Sequence, residues 1–183
     1  MVYAFLAEGF EETEAILPLD LLIRAGISVR TVAIGESRTV PGAHGIPVVA
    51  DVLAEQLPDL PGDAEMIFLP GGMPGTKNLE ESPAVQNYIR QAVERNLPLA
   101  AICAAPSILG KLGLLNGKKA TCFPSFEQYL LGATVCDRGV VTDGNVITAR
   151  ALGAAHEFAF AIIRMLKDEG TAEQVRASVF YEA

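Results

Sequence analysis

Short, wholly apolar runs recur along this chain, each bounded by glycine, proline or charge and separated from the next by a longer amphipathic stretch. That alternation dictates a β-α-β order, because a parallel sheet is covered by its own crossover helices and its strands read as continuous rather than alternating apolar runs. The expected fold class is α/β: a doubly wound, mostly parallel sheet with helices on both faces. With 183 residues there is material for one such core, and the chain is read as a single domain over 1–183.

The first run, Val2 to Ala7, reads as a buried central strand. A helix over Glu12–Ala25 follows, closed by Gly26, with Pro18 expected to kink it or shift its start, and Ser28–Ile34 resumes as a strand. Pro41, Gly42, Gly45 and Pro47 make Val40–Asp51 an extended edge excursion. Met66–Leu69 is a fully apolar strand running into Pro70-Gly71-Gly72. Ser82-Pro83 pairs an N-cap serine with proline at the first helical position and starts a helix to about Arg95. Leu99–Ile102 is the next strand and ends on Cys103. Ala105–Leu112 reads as a helix stopped by Gly113, Lys118–Cys122 as a strand, and Pro124–Leu131 as a helical turn. Asp143-Gly144-Asn145 joins Val140-Val141 to Val146–Thr148 with hairpin chemistry, and helices from Ala154 to Lys167 and from Thr171 close the chain.

Charge and cysteine usage narrow the function. Fourteen basic against twenty-two acidic residues leave a net charge of −8, which repels phosphate backbones and anionic lipid surfaces, so neither nucleic acid nor membrane is an expected partner. Met1–Ala7 lacks the basic flank and cleavage region of a signal peptide, no apolar run approaches the roughly 20 residues of a membrane span, and a cytoplasmic address is expected. Three cysteines without CxxC spacing suggest neither a disulfide framework nor a thiolate metal site. With two histidines, far apart in sequence, no metal is expected.

In doubly wound folds ligands bind at the carboxyl edge of the strands, where loops and helix N-termini converge. Three strands end there on unusual residues: Glu8 to Glu14, Pro70-Gly71-Gly72, and Ile102-Cys103-Ala104-Ala105-Pro106. The third resembles a nucleophile elbow, in which small neighbours let the chain turn sharply and present one side chain. Cys103 is therefore either a working thiol, its pKa lowered by the helix that follows, or a small core hydrophobe. Gly71-Gly72 frees backbone N–H groups to face an anion, or is merely a turn. Glu11, Glu12 and Glu14 suit the first turn of a helix, and Glu14 is also a candidate proton donor beside the thiol. Arg150 is a candidate for binding an anionic substrate group or supporting a dimer contact, and His44 for reaching a cleft from the excursion; a solvated arginine and a surface histidine are the plainer alternatives. His156, Cys122 and Cys136 are read as structural.

Taken together, Ala7-Glu8-Gly9-Phe10-Glu11-Glu12-Thr13-Glu14, Leu69-Pro70-Gly71-Gly72, Ala100 to Pro106 and Asp143 to Arg150, in that order, make the chain similar to the ThiJ/PfpI family, and within it to the deglycase branch and its bacterial relatives. The resemblance implies a flavodoxin-like sandwich, a homodimer and no cofactor. It assigns Cys103 as nucleophile, Glu14 as the carboxyl that hydrogen-bonds it and shuttles protons, and the backbone N–H groups of Gly72 and Ala104 as an oxyanion site. The activities it implies are cofactor-independent glyoxalase chemistry on small aldehydes such as methylglyoxal, reversal of early glycation adducts, or redox sensing through a cysteine sulfinate. Two departures stand out. Peptidase-like members place a histidine directly after the cysteine, where this chain has Ala104, which ranks a cysteine peptidase or amidase last among the expected activities, and other members of the deglycase branch carry a histidine on the next strand, where it has Phe123. An arginine near the cleft in some relatives falls near His44.

Overall fold

The computed structural model describes residues 1–57 and 59–182. From the N-terminus come β1 (Val2–Leu6), α1 (Glu12–Arg24), β2 (Val29–Ala33), the hairpin strands β3 (Thr39–Pro41) and β4 (Pro47–Val49), and β5 (Val52–Leu53). They are followed by β6 (Met66–Leu69), α2 (Gly75–Glu81), α3 (Pro83–Glu94), β7 (Leu99–Ile102), α4 (Pro106–Lys111), and short β8 (Lys119–Ala120) and β9 (Thr134–Val135). A second hairpin of β10 (Val140–Asp143) and β11 (Val146–Ala149), then α5 (Ala155–Leu166) and α6 (Glu169–Ser178), complete the order. Seven strands share one sheet, β10-β11-β7-β6-β1-β2-β5, parallel except where β10 runs antiparallel to β11. No helix among the described residues is long and apolar enough to cross a membrane.

The pleat explains why the central strands are apolar throughout. In β1, Tyr3 and Phe5 point to one face and Val2 and Ala4 to the other, and both faces are buried. On the first face Phe5 stacks on Tyr88 of α3 with ring centroids 4.9 Å apart, beside Ile108 and Leu109 of α4. On the second, Phe68 meets Phe158 of α5 at 5.5 Å, with Leu19 and Leu22 of α1 alongside. A third, smaller cluster, built on Leu6, Phe10, Ala15 and Val40, seats the β3–β4 hairpin over the carboxyl edge of β1.

Local chemistry sets the helix starts. The Ser82 hydroxyl accepts from the Val85 N–H and Pro83 follows at the first helical position, while the Glu11 carboxylate accepts from the Glu14 N–H and caps α1. Pro18 neither ends nor delays α1, which runs through it as part of the buried face. The expected strand Lys118–Cys122 shortens to Lys119–Ala120 and pairs with Thr134–Val135 in a separate ribbon rather than joining the main sheet. The helix Gly75–Glu81 was not expected, because Gly71, Gly72, Pro74 and Gly75 give its start the composition of a loop.

One contact tests the packing of α4. A Cβ on Gly110 would stand 2.1 Å from the Tyr129 carbonyl oxygen and 2.8 Å from the Leu130 Cα, both backbone. Alanine in a helix gains at most about 1 kcal/mol over glycine, whereas forcing backbone apart in a packed core costs about 1–3 kcal/mol. Gly110→Ala is therefore expected to lower stability by a net 1–2 kcal/mol or so in urea titration; a variant more stable than wild type would show that helix and turn do not abut.

Candidate active site

The chain passes from β1 to β2 on one side and from β6 to β7 on the other, so strand order reverses between β1 and β6, and a crevice opens there at the carboxyl edge. Three segments converge on it. Glu14 projects from the first turn of α1, Gly71 and Gly72 follow β6, and Cys103 follows β7. Cys103 is held in place by its own backbone: its N–H donates to the Ala149 carbonyl at 2.9 Å and its carbonyl accepts from the Phe123 N–H at 2.7 Å. Its φ of +66° is a left-handed conformation that costs an L-residue about 1–2 kcal/mol, the mark of a sharp elbow.

Gly71 and Gly72 are required by close approach. A Cβ on Gly71 would lie 2.3 Å from Glu14 Oε2 and 2.5 Å from Cys103 Cβ, which places those two atoms at most about 4.8 Å apart, the sum of the two distances. Gly72, at φ +92°, would drive a Cβ to 2.3 Å from the Glu11 backbone nitrogen. The Gly71 carbonyl accepts from the Glu11 N–H at 2.9 Å, tying the turn to the start of α1.

Glu14 is almost fully buried, at 2% exposure. Burial pushes its carboxyl up to about 7, with the nearby Glu11 charge adding to the rise, against the lowering effect of the Cys103 thiol and of the Leu152 and Gly71 N–H groups. These neighbours approach the carboxyl, yet Oε2 has no partner in full hydrogen-bond geometry among the described residues. Burial likewise pushes the Cys103 thiol up to about 12, reinforced by the charge of Glu14 and by hydrogen bonding to it, while the Gly72 and Ala104 N–H groups favour the thiolate. The expectation that the following helix would lower this pKa is thus corrected: α4 has only six residues, and burial beside a carboxylate outweighs two N–H dipoles.

His44 sits at the exposed tip of the β3–β4 hairpin and pairs with Glu12, Nδ1 to Oε2 at 2.8 Å, with Glu11 Oε1 at 3.8 Å. Glu12 Oε1 also accepts the backbone N–H groups of His44 and Ile46. Burial would raise the Glu12 carboxyl, but these hydrogen bonds hold it down at about 2, and the same contact raises the His44 imidazole. Glu11, Glu12 and His44 bring one ligand atom each to within 4.8 Å of one another, the grouping among the described residues with donors suited to a cation, which was not expected from sequence. Since Glu12 and His44 already satisfy each other, the cluster works as a clamp between α1 and the hairpin. Arg150 is in an ion pair with Asp137, and its N–H donates to the Gly139 carbonyl. Cys122 is buried and Cys136 partly exposed. His156 stacks on Tyr181 at 4.5 Å.

The two carboxyls make opposite contributions to stability. A carboxyl lowered to about 2 from an ordinary 4.5 stabilises the fold above 4.5 and loses that stabilisation as pH falls, and a raised imidazole stabilises below 6.5 and loses it as pH rises. The difference in thermal midpoint between wild type and Glu12→Gln is therefore expected to be largest near pH 5–6 and to shrink on either side; a flat difference would mean the clamp is not ionic. Glu14, raised to about 7, binds its proton more tightly folded than unfolded, so the fold loses stability as pH climbs from 4.5 to 7. Glu14→Gln is expected to melt above wild type at pH 8 and level with it at pH 4.5. A variant that melts below wild type at pH 8 would contradict a buried carboxylate.

Over most of its length the chain is similar to known proteins. A family model described as DJ-1/PfpI family matches residues 1–165. Protein DJ-1 homolog B of Arabidopsis thaliana is 38% identical over 159 residues, 86% of this chain and 36% of that protein, so the chain spans little more than a third of that relative's length. A protein of Pyrococcus horikoshii named Deglycase PH1704 is 30% identical over 163 residues, covering 88% of this chain and 96% of its own. A crystal structure of a mutant of the DJ-1 superfamily protein STM1931 from Salmonella typhimurium superposes with a TM-score of 0.93 at 34% identity, over 100% of this chain and 98% of that one. The sheet order, the elbow at Cys103 and a match spanning nearly the whole length lead to one conclusion: this chain belongs to the DJ-1/PfpI family.

Proposed function

We propose that this chain is a cofactor-independent glyoxalase or deglycase-type enzyme, acting through Cys103 on small 2-oxoaldehydes or their adducts. The supporting observation is the pairing of an elbow thiol with a buried carboxyl whose proton is exchangeable near neutral pH. A thiol held near 12 is not a resting thiolate, so attack needs a partner that takes its proton as the carbon–sulfur bond forms, and ionised Glu14 takes that role in this reading.

With methylglyoxal, sulfur adds to the aldehyde carbon and the carbonyl oxygen gains the proton, giving a hemithioacetal. In this reading the developing oxyanion is received by the Gly72 and Ala104 N–H groups, which face the sulfur. Glu14 then removes the proton from the former aldehyde carbon to form an enediol and returns a proton to the neighbouring carbon, leaving a thioester of lactate. Water hydrolyses the thioester and restores the thiol, so the reaction is an internal oxidation and reduction that consumes only water. With Phe123 in place of an imidazole, Glu14 carries the proton transfers alone. A homodimer is part of this reading: Ile16 and Ile23 on α1 and Ile46 and Val49 at the hairpin are exposed apolar side chains on two elements joined by the Glu12–His44 clamp.

Lactate formation from methylglyoxal without glutathione tests the proposal. Cys103→Ser and Glu14→Gln are each expected to lose about 100-fold or more in kcat/KM, and the wild-type kcat/KM is expected to rise with pH about a midpoint near 7. Equal rates in all three proteins would end the idea.

The unpartnered Glu14 Oε2 favours a second reading, a redox sensor. A sulfinate at Cys103 would accept a hydrogen bond from protonated Glu14 and from the same two N–H groups. Its signature is selective addition of two oxygens at Cys103 under mild peroxide, by intact mass, with negligible aldehyde turnover.

A further inference from the structure

Three large apolar side chains stand exposed on residues whose backbones border the reactive pair. Met73, 53% exposed, follows Gly72, whose N–H faces the Cys103 sulfur. Phe123, 42% exposed, donates its N–H to the Cys103 carbonyl at 2.7 Å. Leu152, 46% exposed, turns its N–H toward the Glu14 carboxyl. Single exposed apolar residues are ordinary on a protein surface, but these three come from three separate segments whose backbones converge on one reactive pair.

The charges around them are one-sided. Glu8, Glu11 and Glu14 lie on the β1–α1 segment that forms one wall. Three cations of the surrounding elements are in ion pairs of their own: His44 with Glu12, Arg150 with Asp137, and Lys111 with Glu80 at 2.7 Å while lying over the Tyr129 ring. An incoming carboxylate would meet the acidic groups of that wall, whereas an apolar substituent would meet methyl, thioether and ring surface.

We propose that Met73, Phe123 and Leu152 form an apolar collar that sets specificity at Cys103, favouring neutral 2-oxoaldehydes with a bulky apolar or aromatic substituent over small or carboxylate-bearing ones. The collar deepens the glyoxalase-type reading and rests on it for the word substrate. Its physical content, selectivity of access to the sulfur, is independent of turnover.

The test uses alkylation, in which the sulfur displaces iodide and no aldehyde chemistry is needed. Rates of Cys103 modification by N-benzyl-iodoacetamide, iodoacetamide and iodoacetate are read by peptide mass and each divided by its rate with glutathione, with Cys103→Ser as the blank for Cys122 and Cys136. An apolar contact of this size is worth roughly tenfold, so the benzyl reagent is expected to exceed iodoacetamide by about that factor and iodoacetate to fall below it. In Phe123→Ser, Leu152→Ser and their combination the benzyl advantage is expected to shrink toward one, while the iodoacetamide rate stays within about twofold, showing that the thiol itself is intact. A wild-type ratio near one, or an advantage that survives the double variant, overturns the collar. Turnover separates the two proposals: the collar with the glyoxalase reading requires a higher kcat/KM for phenylglyoxal than for methylglyoxal and a lower one for 4,5-dioxopentanoate, a 2-oxoaldehyde that carries a carboxylate. Selective alkylation with no turnover of any aldehyde would sink the enzyme and leave the collar standing.

Discussion

Glu14 and Cys103 come from opposite sides of the crevice and meet over the backbone of Gly71, where there is no room for even one more carbon atom. That close approach depends on the parallel alignment of β1, β6 and β7, whose carboxyl ends bring the start of α1, the glycine turn and the elbow to one level. It also depends on the Glu11 N–H bonding to the Gly71 carbonyl, which fixes the helix start against the turn. The two aromatic contacts on opposite faces of the sheet, Phe5 with Tyr88 and Phe68 with Phe158, keep the strands from shifting relative to their helices.

The electrostatics follow from burial. Two acids desolvated side by side cannot both ionise cheaply: burial raises both, the Glu14 carboxylate raises the thiol further while the thiol's hydrogen bond favours the carboxylate, and the pair passes from two protons to one near neutrality. A group that gives and takes a proton at the pH of its surroundings is what an isomerisation needs, and a carboxyl with an unused oxygen is also what an oxidised sulfur would seek. The same geometry thus suits either of the two proposed chemistries, and the reagents offered to it would decide between them.

The sheet and its covering helices were legible in the sequence because the central strands are buried on both faces, which leaves runs such as Met66–Leu69 and Leu99–Ile102 without a polar residue. The membership of the DJ-1/PfpI family was legible for a related reason: three short motifs sit at three strand ends. What escaped was decided by space and distance. The helix at Gly75 hides among glycines and a proline, because its first residue packs against the Gly9–Phe10 backbone and a side chain there would collide with it. Lys118–Cys122 reads as a strand, but only pairing geometry shows that it shortens to Lys119–Ala120 and belongs to a ribbon of its own. The high thiol pKa also could not be read from sequence, since spacing shows a helix N-terminus but not how deeply the sulfur is buried beside a carboxylate. Nor could the Glu12–His44 clamp, whose partners are 32 residues apart.

The positive φ at residue 103 has a consequence for how such a chain can be improved. Glycine is the residue that would occupy that backbone shape at least cost, so the position sets thermodynamic comfort against the presence of any functional group at all. Efforts to harden the protein by relaxing its least comfortable residue would converge on the one substitution that deletes its sulfur. Robustness has to be sought elsewhere, in the layers behind the sheet.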